Sequence, residues 1–199
     1  MTPTESAAAK PRLITPTFVL AWVANFCQFL VFYLFVTTMA LYAVESFGAS
    51  DTVGGFASSA FVLGATCMRV FSGWIVDRVG HKKAALASLA FVTLVAVAYF
   101  FAHNVAVLII VRMVHGAGYA LTSTALMAVA QSVIPHERRA EGTGYFALGT
   151  TLATAFGPAI GLFLANNIGY NTLFAVALGA NIVSLILALV LRYPAEVSS

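Results

Sequence analysis

The sequence has 199 residues, of which 61% are apolar and only 9% are charged. A chain with so few charges cannot present a wettable surface around one aqueous core, so the composition excludes a water-soluble globular fold and indicates a protein embedded in lipid. The formal net charge of +3 could suggest a nucleic-acid partner. Nucleic acid is nevertheless rejected as a partner, because the basic residues lie at loop positions that membrane topology already requires.

Six apolar segments are each long enough to cross a hydrocarbon layer of roughly 30 Å as a helix. The predicted order is a disordered cytoplasmic tail over residues 1–16, a six-helix transmembrane bundle over 17–192, and a second cytoplasmic tail over 193–199. Ser50 or Asp51 is the predicted N-cap of helix 2. The predicted helices cover residues 18–44, 52–76, 84–102, 105–132, 142–165 and 170–191.

The basic residues outside the helices predict the orientation. Eight of the ten Lys and Arg residues fall in the two tails and in the loops after helices 2 and 4, namely Lys10, Arg12, Arg78, Lys82, Lys83, Arg138, Arg139 and Arg192. The loops after helices 1, 3 and 5 contain none. Because basic residues in short loops stay in the cytoplasm, we predict a multi-pass protein of the plasma membrane, the bacterial inner membrane, with both termini cytoplasmic.

A faint internal repeat relates the two halves of the chain. Residues 163–170 align with residues 74–81, and a polar pair, a branched residue and a glycine keep their order. The first copy lies on the cytoplasmic side and the second outside, so the two three-helix units would be inverted, as in many secondary transporters. The predicted fold is an all-α membrane protein whose six transmembrane helices form two inverted three-helix repeats.

Three motifs follow one another along this framework. The loop between helices 2 and 3 contains Gly73, Asp77, Arg78, Gly80, Lys82 and Lys83; helix 4 contains Arg112, Gly116 and Gly118; helix 5 contains Gly144, Ala153, Gly157, Pro158 and Gly161. In this order they resemble the signature loop of the major facilitator superfamily, its second motif, and the motif of its drug:proton antiporter branch. Ala153 and Leu162 stand where that branch usually has glycine. The resemblance covers the whole chain and implies the amino-terminal six-helix half of a twelve-helix transporter, a major facilitator half-bundle.

The charged loop is predicted to act as a conformational latch. Gly73 is expected to let two helix ends approach, and Gly80 to adopt a positive φ. Asp77 is expected to accept hydrogen bonds from a helix N-terminus or from arginine. Arg69 precedes Asp77 by two turns, so we expect it to pair with this acid or to snorkel, rather than to contact substrate. The latch residues are therefore Arg69, Gly73, Asp77, Arg78, Gly80, Lys82 and Lys83; the alternative is a generic basic turn.

A second cluster is predicted on helix 4. Arg112 lies about seven residues into the helix, roughly 10 Å below the outer surface, and a charge at that depth faces protein or a water-filled cavity. His115 and Tyr119 follow at i+3 and i+7, so the three side chains share one stripe. We predict that this stripe lines a substrate cavity; the alternative is a structural hydrogen-bond cluster between helices.

On helix 1, Asn25, Gln28 and Phe32 share one face and are predicted to contact the substrate. The alternative is that the amides join helices to one another. Helix 5 carries small residues at intervals of four or five, which predicts a groove that another helix packs into, with a bend at Pro158. These small residues are Gly144, Gly149, Ala153, Gly157 and Gly161.

The sequence contains no constellation typical of an enzyme. It has no Cys and His set with metal-ligand spacing, no phosphate-binding glycine loop and no serine nucleophile elbow, so we predict no enzymatic activity, no metal and no cofactor. All seven acids lie in tails, loops or helix ends. Proton coupling would then depend on His115 or on an acid contributed by another chain.

We predict half of a secondary active transporter that exports a small organic molecule or drug by proton antiport with alternating access. Its expected partners are the small-molecule substrate, membrane lipid and a second six-helix bundle, because six helices do not enclose a central cavity. The chain would be the first half of a longer carrier, one partner of a split carrier, or a half-size protein that pairs with itself. The alternatives are a facilitator or uniporter of a small metabolite, and a membrane scaffold or regulator without transport.

Overall fold

A computed structural model describes residues 12–193, which fold into six long α-helices. These are α1 (Pro16–Phe47), α2 (Asp51–Val79), α3 (His81–Ala98), α4 (Val105–Ser132), α5 (Arg139–Asn167) and α6 (Tyr170–Val190). Single 3₁₀ turns extend α3 over Tyr99–Phe101 and precede α5 over His136–Arg138. Six helical segments in the described part of the chain are long and apolar enough to cross a membrane. The prediction of an all-α, six-helix membrane protein is confirmed.

Side-chain caps and glycines fix the ends of the helices. The Thr15 hydroxyl accepts a hydrogen bond from the Phe18 amide at 3.1 Å, so α1 begins at Pro16, two residues before the predicted start. Ser50 caps α2 in the same way. Gly80 has a φ of 92° and separates α2 from α3 by itself. The predicted turn over residues 77–83 is therefore a single residue, because the charged side chains at the membrane surface are compatible with continued helix.

Residues 1–11 and 194–199 lie outside the described residues, and the predicted tails stay predictions there. Leu13 falls within the predicted disordered tail but is buried in one apolar cluster with Phe18 and Ile134. The Thr17 hydroxyl also donates to the Arg192 carbonyl at 3.1 Å. The packed bundle therefore includes residues that precede α1, because an apolar side chain there covers the ends of α4 and α5.

The helix packing follows a two-unit arrangement. α1 packs along α5 as α4 packs along α2, and α6 lies against α1 as α3 lies against α4. Exchanging α1–α3 for α4–α6 thus reproduces the same neighbours. Consecutive membrane-crossing helices joined by short loops run in opposite directions, so α1 and α4 are antiparallel. The two three-helix units are therefore inverted relative to each other.

Glycines allow α2 and α4 to pack with their backbones in contact. A Cβ at Gly64 would overlap the Met113 carbonyl, and a Cβ at Gly116 would overlap the Phe61 carbonyl. Backbone atoms have no alternative rotamer, so neither position tolerates a side chain without separating the helices. This crossing positions the middle of α4 against α2.

The small residues of α5 pack against α1 except at one position. A Cβ at Gly157 or Gly161 would meet the backbone of Tyr33 or Leu34, and Ala153 is fully buried. Gly149 lies beside the Trp22 ring, with 3.3 Å between that ring and a Cβ built on the glycine. Pro158 lies inside the helix. A Cβ at Gly144 would have no atom within 4 Å, so the predicted packing groove does not include Gly144 and begins at the next small residue of the series, Gly149.

Candidate functional site

Of the predicted latch residues, Asp77, Arg78, Gly80, Lys82 and Lys83 lie at the junction of α2 and α3, where Gly80 adopts the expected positive φ. A Cβ added to Gly73 would have no atom within 4 Å, so this glycine does not bring two helix ends of the described bundle together. Asp77 is exposed on the last turns of α2 and forms no ion pair within residues 12–193. Any partner of Asp77 would therefore come from outside the described bundle.

Two of the three Lys and Arg residues at this junction, Arg78 and Lys82, lie over aromatic rings. The Arg78 guanidinium lies 5.4 Å from the centre of the Trp74 ring, and the Lys82 ammonium lies 5.8 Å from that of Tyr193. The Tyr193 hydroxyl donates to the Ala188 carbonyl at 3.0 Å, and burial raises the pKa of Tyr193 to about 12. Lys83 is exposed. These contacts hold Arg78 and Lys82 at the surface of the bundle, with their charges available to water or to a partner.

Arg112 is completely buried between α4 and α2. Its Nε donates to the Ala57 carbonyl at 3.3 Å, and one terminal nitrogen donates to the Ser58 carbonyl at 2.7 Å. The guanidinium also lies over the Phe61 ring, 4.9 Å from its centre. The second terminal nitrogen has no hydrogen-bond partner among the described residues. Arg112 thus faces protein, which is one of the two environments that its depth predicts.

The other two residues of the predicted stripe have different surroundings. His115 is buried, and its Nδ1 lies 3.0 Å from the Tyr99 hydroxyl. Tyr119 lies one turn further on and packs against Phe61, with ring centres 5.2 Å apart. The three residues share one side of α4, as predicted, but only Tyr119 borders one of the cavities described below.

The three predicted residues of helix 1 separate in the same way. The Gln28 side-chain amide donates to the Asn181 carbonyl oxygen on α6 at 3.0 Å, which matches the alternative in which amides join helices. Asn25 is 3% exposed, yet its Oδ1 has no hydrogen-bond partner within the part of the chain that the structure describes. Phe32 packs against Phe61, with ring centres 5.0 Å apart. Asn25 and Phe32 each border a cavity.

Two cavities open on the face formed by α1, α2, α4 and α5. The polar cavity, of about 270 Å³, is lined by Asn25, Phe29, Arg69, Ser123, Thr124, Met127, Phe146, Ala147 and Thr150. The aromatic cavity, of about 190 Å³, is lined by Phe32, Phe61, Val62, Ala65, Thr66, Arg69 and Tyr119. Arg69 borders both. The face therefore combines one cation, several hydroxyls and a cluster of aromatic rings.

Arg69, a predicted latch residue, borders the two cavities and lies away from the α2–α3 junction. It lies about 12 Å along α2 from Asp77 and about 15 Å from the end of that helix at Val79, and no ion pair joins it to Asp77 in the described part of the chain. Instead, one terminal nitrogen lies 3.5 Å from the Ser123 hydroxyl across the polar cavity. The predicted pair with Asp77 is absent because two helical turns separate the two side chains, and the alternative, that Arg69 snorkels, stays a prediction.

The hydroxyl residues of the polar cavity were not predicted from the sequence. Ser123, Thr124 and Thr150 resemble the many other serines and threonines that bond the preceding turn of their own helix, as Ser123 and Thr124 also do through the Ala120 carbonyl. On α2, Thr66 and Arg69 at i and i+3 form a short polar stripe. Together with Asn25, Phe32 and Tyr119, that stripe is a sequence signal for the cavity face.

Residues 21–199 match the family model described as the Major Facilitator Superfamily. The chain belongs to the major facilitator superfamily. The resemblance of its three motifs to that family is thereby confirmed, and the six apolar helices are those of a multi-pass membrane protein in a family of transporters.

Several curated members of the major facilitator superfamily are similar to this chain. The multi-drug resistance efflux pump PmrA of Streptococcus pneumoniae is 30% identical over 161 residues, which cover 78% of this chain and 39% of the pump. The staphylopine export protein of Staphylococcus aureus is 31% identical over 133 residues, which cover 66% of this chain and 32% of the exporter. A multidrug resistance protein B homolog of Mycobacterium tuberculosis is 25% identical over 145 residues, with 73% and 27% covered. The chain thus spans less than half the length of these relatives.

Proposed function

We propose that the chain forms half of a secondary active transporter that exports a small organic molecule or drug. The observation that carries this proposal is Arg69, an exposed cation about 15 Å from the end of α2 with no acid paired to it among residues 12–193. A charge at membrane depth costs roughly 2.5–3.5 kcal/mol in lipid. The face that carries Arg69 is therefore covered by protein and water rather than by lipid.

The cover that we propose for this face is a second six-helix bundle. It would belong to the same polypeptide, to a different subunit or to a second copy of this chain. The relatives support this arrangement, since the matched segment accounts for 39% or less of each of their lengths. Rocking of the two bundles about the cavities would give alternating access. We propose that Asp77, Arg78 and Lys82, which are exposed at the α2–α3 junction, contact the second bundle and act as the latch.

We propose the plasma membrane as the location, with both termini in the cytoplasm, because basic residues lie on the side of the α2–α3 and α4–α5 connections. For proton antiport, the proton-binding acid would come from the second bundle, since none of the five acids within residues 12–193 lies in the middle of a helix that spans the membrane. The same observation favours a second candidate function, a facilitator or uniporter that moves its solute without protons. A scaffold or regulator without transport is the third.

Flux in proteoliposomes tests the proposal. The purified full chain, together with any subunit that copurifies, is reconstituted and supplied with the fluorescent cation ethidium or with an aromatic carboxylate. An antiporter moves the solute against its gradient when an inward or outward pH gradient is imposed, and nigericin abolishes that movement. A facilitator equilibrates the solute with or without the pH gradient. Flux equal to that of protein-free liposomes under every condition contradicts transport.

A further inference from the structure

We propose that the polar and aromatic cavities together bind one amphipathic organic anion, with its acid group on Arg69, a neighbouring hydrogen-bond donor on Asn25, and its apolar body among the rings around Tyr119. This inference rests on the proposed function, in which the cavity face is the substrate pathway, and it specifies the class of substrate.

Arg69 supplies the recognition of charge. Among residues 12–193 it is the one charged residue that lines either cavity, so the local field favours anions and disfavours cations. A guanidinium offers five N–H donors in a fixed fork that matches a carboxylate. Only one of these donors has a partner in the described part of the chain, the Ser123 hydroxyl at 3.5 Å. That hydroxyl donates its own hydrogen to the Ala120 carbonyl, so it accepts from Arg69 and leaves the remaining donors for a ligand.

Asn25 supplies the second polar contact. Its side chain is 3% exposed and lines the polar cavity, and its Oδ1 has no hydrogen-bond partner among residues 12–193. A buried carbonyl oxygen without a partner is unfavourable, and a ligand N–H or O–H that reaches it removes that cost. Gln28, one turn later, has its partner on α6 within the bundle. Asn25 is therefore the amide of α1 that remains available to a ligand.

The aromatic cavity supplies the apolar contact. The rings of Phe32 and Phe61 lie 5.0 Å apart, and that of Tyr119 lies 5.2 Å from Phe61 and 6.0 Å from Phe32. Such a cluster of ring faces and edges accepts a flat apolar group. Because Arg69 borders both cavities, a ligand whose acid group lies on the guanidinium can extend its apolar body toward these rings. The arrangement therefore requires an acid group and an apolar body in one molecule.

Binding of N-(2-naphthoyl)glycine and of its methyl ester tests this assignment. The first probe carries a carboxylate, an adjacent amide N–H and a two-ring apolar body, and the ester keeps the amide and the rings but has a methyl group in place of the charge. Equilibrium dialysis is performed on the full chain, with any copurifying subunit, in lipid nanodiscs, and binding to protein-free nanodiscs is subtracted. The acid is expected to bind about 10-fold more tightly than the ester, the effect of one charge-assisted hydrogen-bonded pair.

Three variants separate the contributions. Arg69→Gln is expected to weaken binding of the acid about 10-fold and to leave the ester unchanged, so that the preference for the acid is lost. Asn25→Leu is expected to weaken both probes by a similar factor, since both keep the amide N–H. Arg192→Gln, the matched control, removes the same charge from an exposed residue that lines neither cavity and is expected to change neither affinity.

Equal affinity of the unmodified protein for acid and ester overturns the inference, as does a preference for the acid that persists in Arg69→Gln. An equal loss in Arg192→Gln also overturns it, because the preference would then reflect the overall charge of the protein. These results are independent of the flux assay. Transport of ethidium without binding of the acid contradicts the anion site and leaves the proposed transport intact. Selective binding of the acid without flux of any solute supports the site and contradicts the transport.

Discussion

Replacing Gly64 by alanine is expected to push α2 away from α4. The added Cβ would overlap the Met113 carbonyl, which belongs to the backbone of α4 and has no rotamer to adopt. The same crossing holds the Phe61 carbonyl against Gly116, so the two helices cannot slide locally to relieve the overlap. The helices must separate along the contact, and the neighbouring side chains lose packing. The change therefore acts on the contact that positions the cavity residues of α2 against those of α4.

Two opposing effects determine how much Gly64→Ala changes the stability of the protein. Overpacking of a tight contact costs about 1–3 kcal/mol and occasionally more, whereas alanine in place of glycine within a helix gains about 1 kcal/mol. Gly55 lies in the same helix with no atom within 4 Å of its Cβ position, so Gly55→Ala measures the second effect alone. We expect Gly64→Ala to be less stable than Gly55→Ala by about 2 kcal/mol or more.

Thermal unfolding of both variants in one detergent, followed by circular dichroism, measures the difference. A chain of this size changes its melting temperature by roughly 2–4 °C per kcal/mol, so Gly64→Ala should melt about 5 °C or more below Gly55→Ala. Equal melting temperatures would refute the close contact of the two helix backbones. Gly116→Ala repeats the test from the opposite helix and should give a loss of the same sign.

Further outcomes are expected at other positions. Gly80→Ala should lower stability by about 1–2 kcal/mol in the same assay, because its φ of 92° is unfavourable for a residue with a Cβ. Gln28→Leu should cost about 1 kcal/mol, since it leaves a buried amide of α6 without its partner, and an unchanged midpoint would show that this bond contributes nothing. Arg112→Met should lower stability by about 1.5–3 kcal/mol, because it removes the hydrogen bonds from the guanidinium to the Ala57 and Ser58 carbonyls that join α4 to α2, and pH-driven flux should be lost. Retained flux would make Arg112 dispensable for transport. A cysteine at Lys82, introduced with the exposed Cys67 replaced by serine, should react with an impermeant maleimide only from the cytoplasmic side. Labelling from outside would reverse the topology.

Apolar length made the six helices predictable, because a segment that crosses lipid must satisfy its backbone hydrogen bonds internally. The start of α2 could be predicted equally well, because a serine before a helix often caps it. The Ser50 hydroxyl accepts a hydrogen bond from the Val53 amide in this way. The turn between α2 and α3 was predicted too long. The charges at residues 77–83 indicate the membrane surface, but charged side chains at that depth are compatible with helix, and only Gly80 interrupts it.

Glycines with opposite roles look alike in the sequence. Gly64 packs against α4, whereas Gly55 and Gly73 have open space around them. Each lies nine residues from Gly64, or two and a half turns, so both point to the opposite side of α2. The sequence motif includes Gly73, yet the tight contact within this bundle is at Gly64. Which side of a helix faces a neighbour depends on the packing of the whole bundle, and the weak amphipathic pattern of a membrane helix does not reveal it.

Arg69 and Arg112, the two arginines inside the helices, show why the cavity face was not predicted from the sequence. The depth of Arg112 predicts a cavity-lining residue, and a helix 2 that ends at residue 76 predicts Arg69 near the surface. In the structure α2 continues to Val79, so Arg69 lies ten residues, or about 15 Å, from the end of the helix. Arg112, in contrast, is completely buried and donates hydrogen bonds to the Ala57 and Ser58 carbonyls of α2.

The buried Arg112 guanidinium donates to backbone carbonyls and so fixes the position of α4 against α2. The exposed Arg69 guanidinium has N–H donors without a partner among the described residues. The two roles depend on each other. Arg112 and the glycine contacts hold the α2–α4 crossing, and Arg69 on α2 reaches Ser123 on α4 across that same crossing. Because this crossing is fixed, Arg69 and Ser123 keep their separation within the bundle. In the proposed cycle the second bundle instead covers or uncovers the face that carries both cavities, so the affinity for an anion differs between the two states, as transport requires.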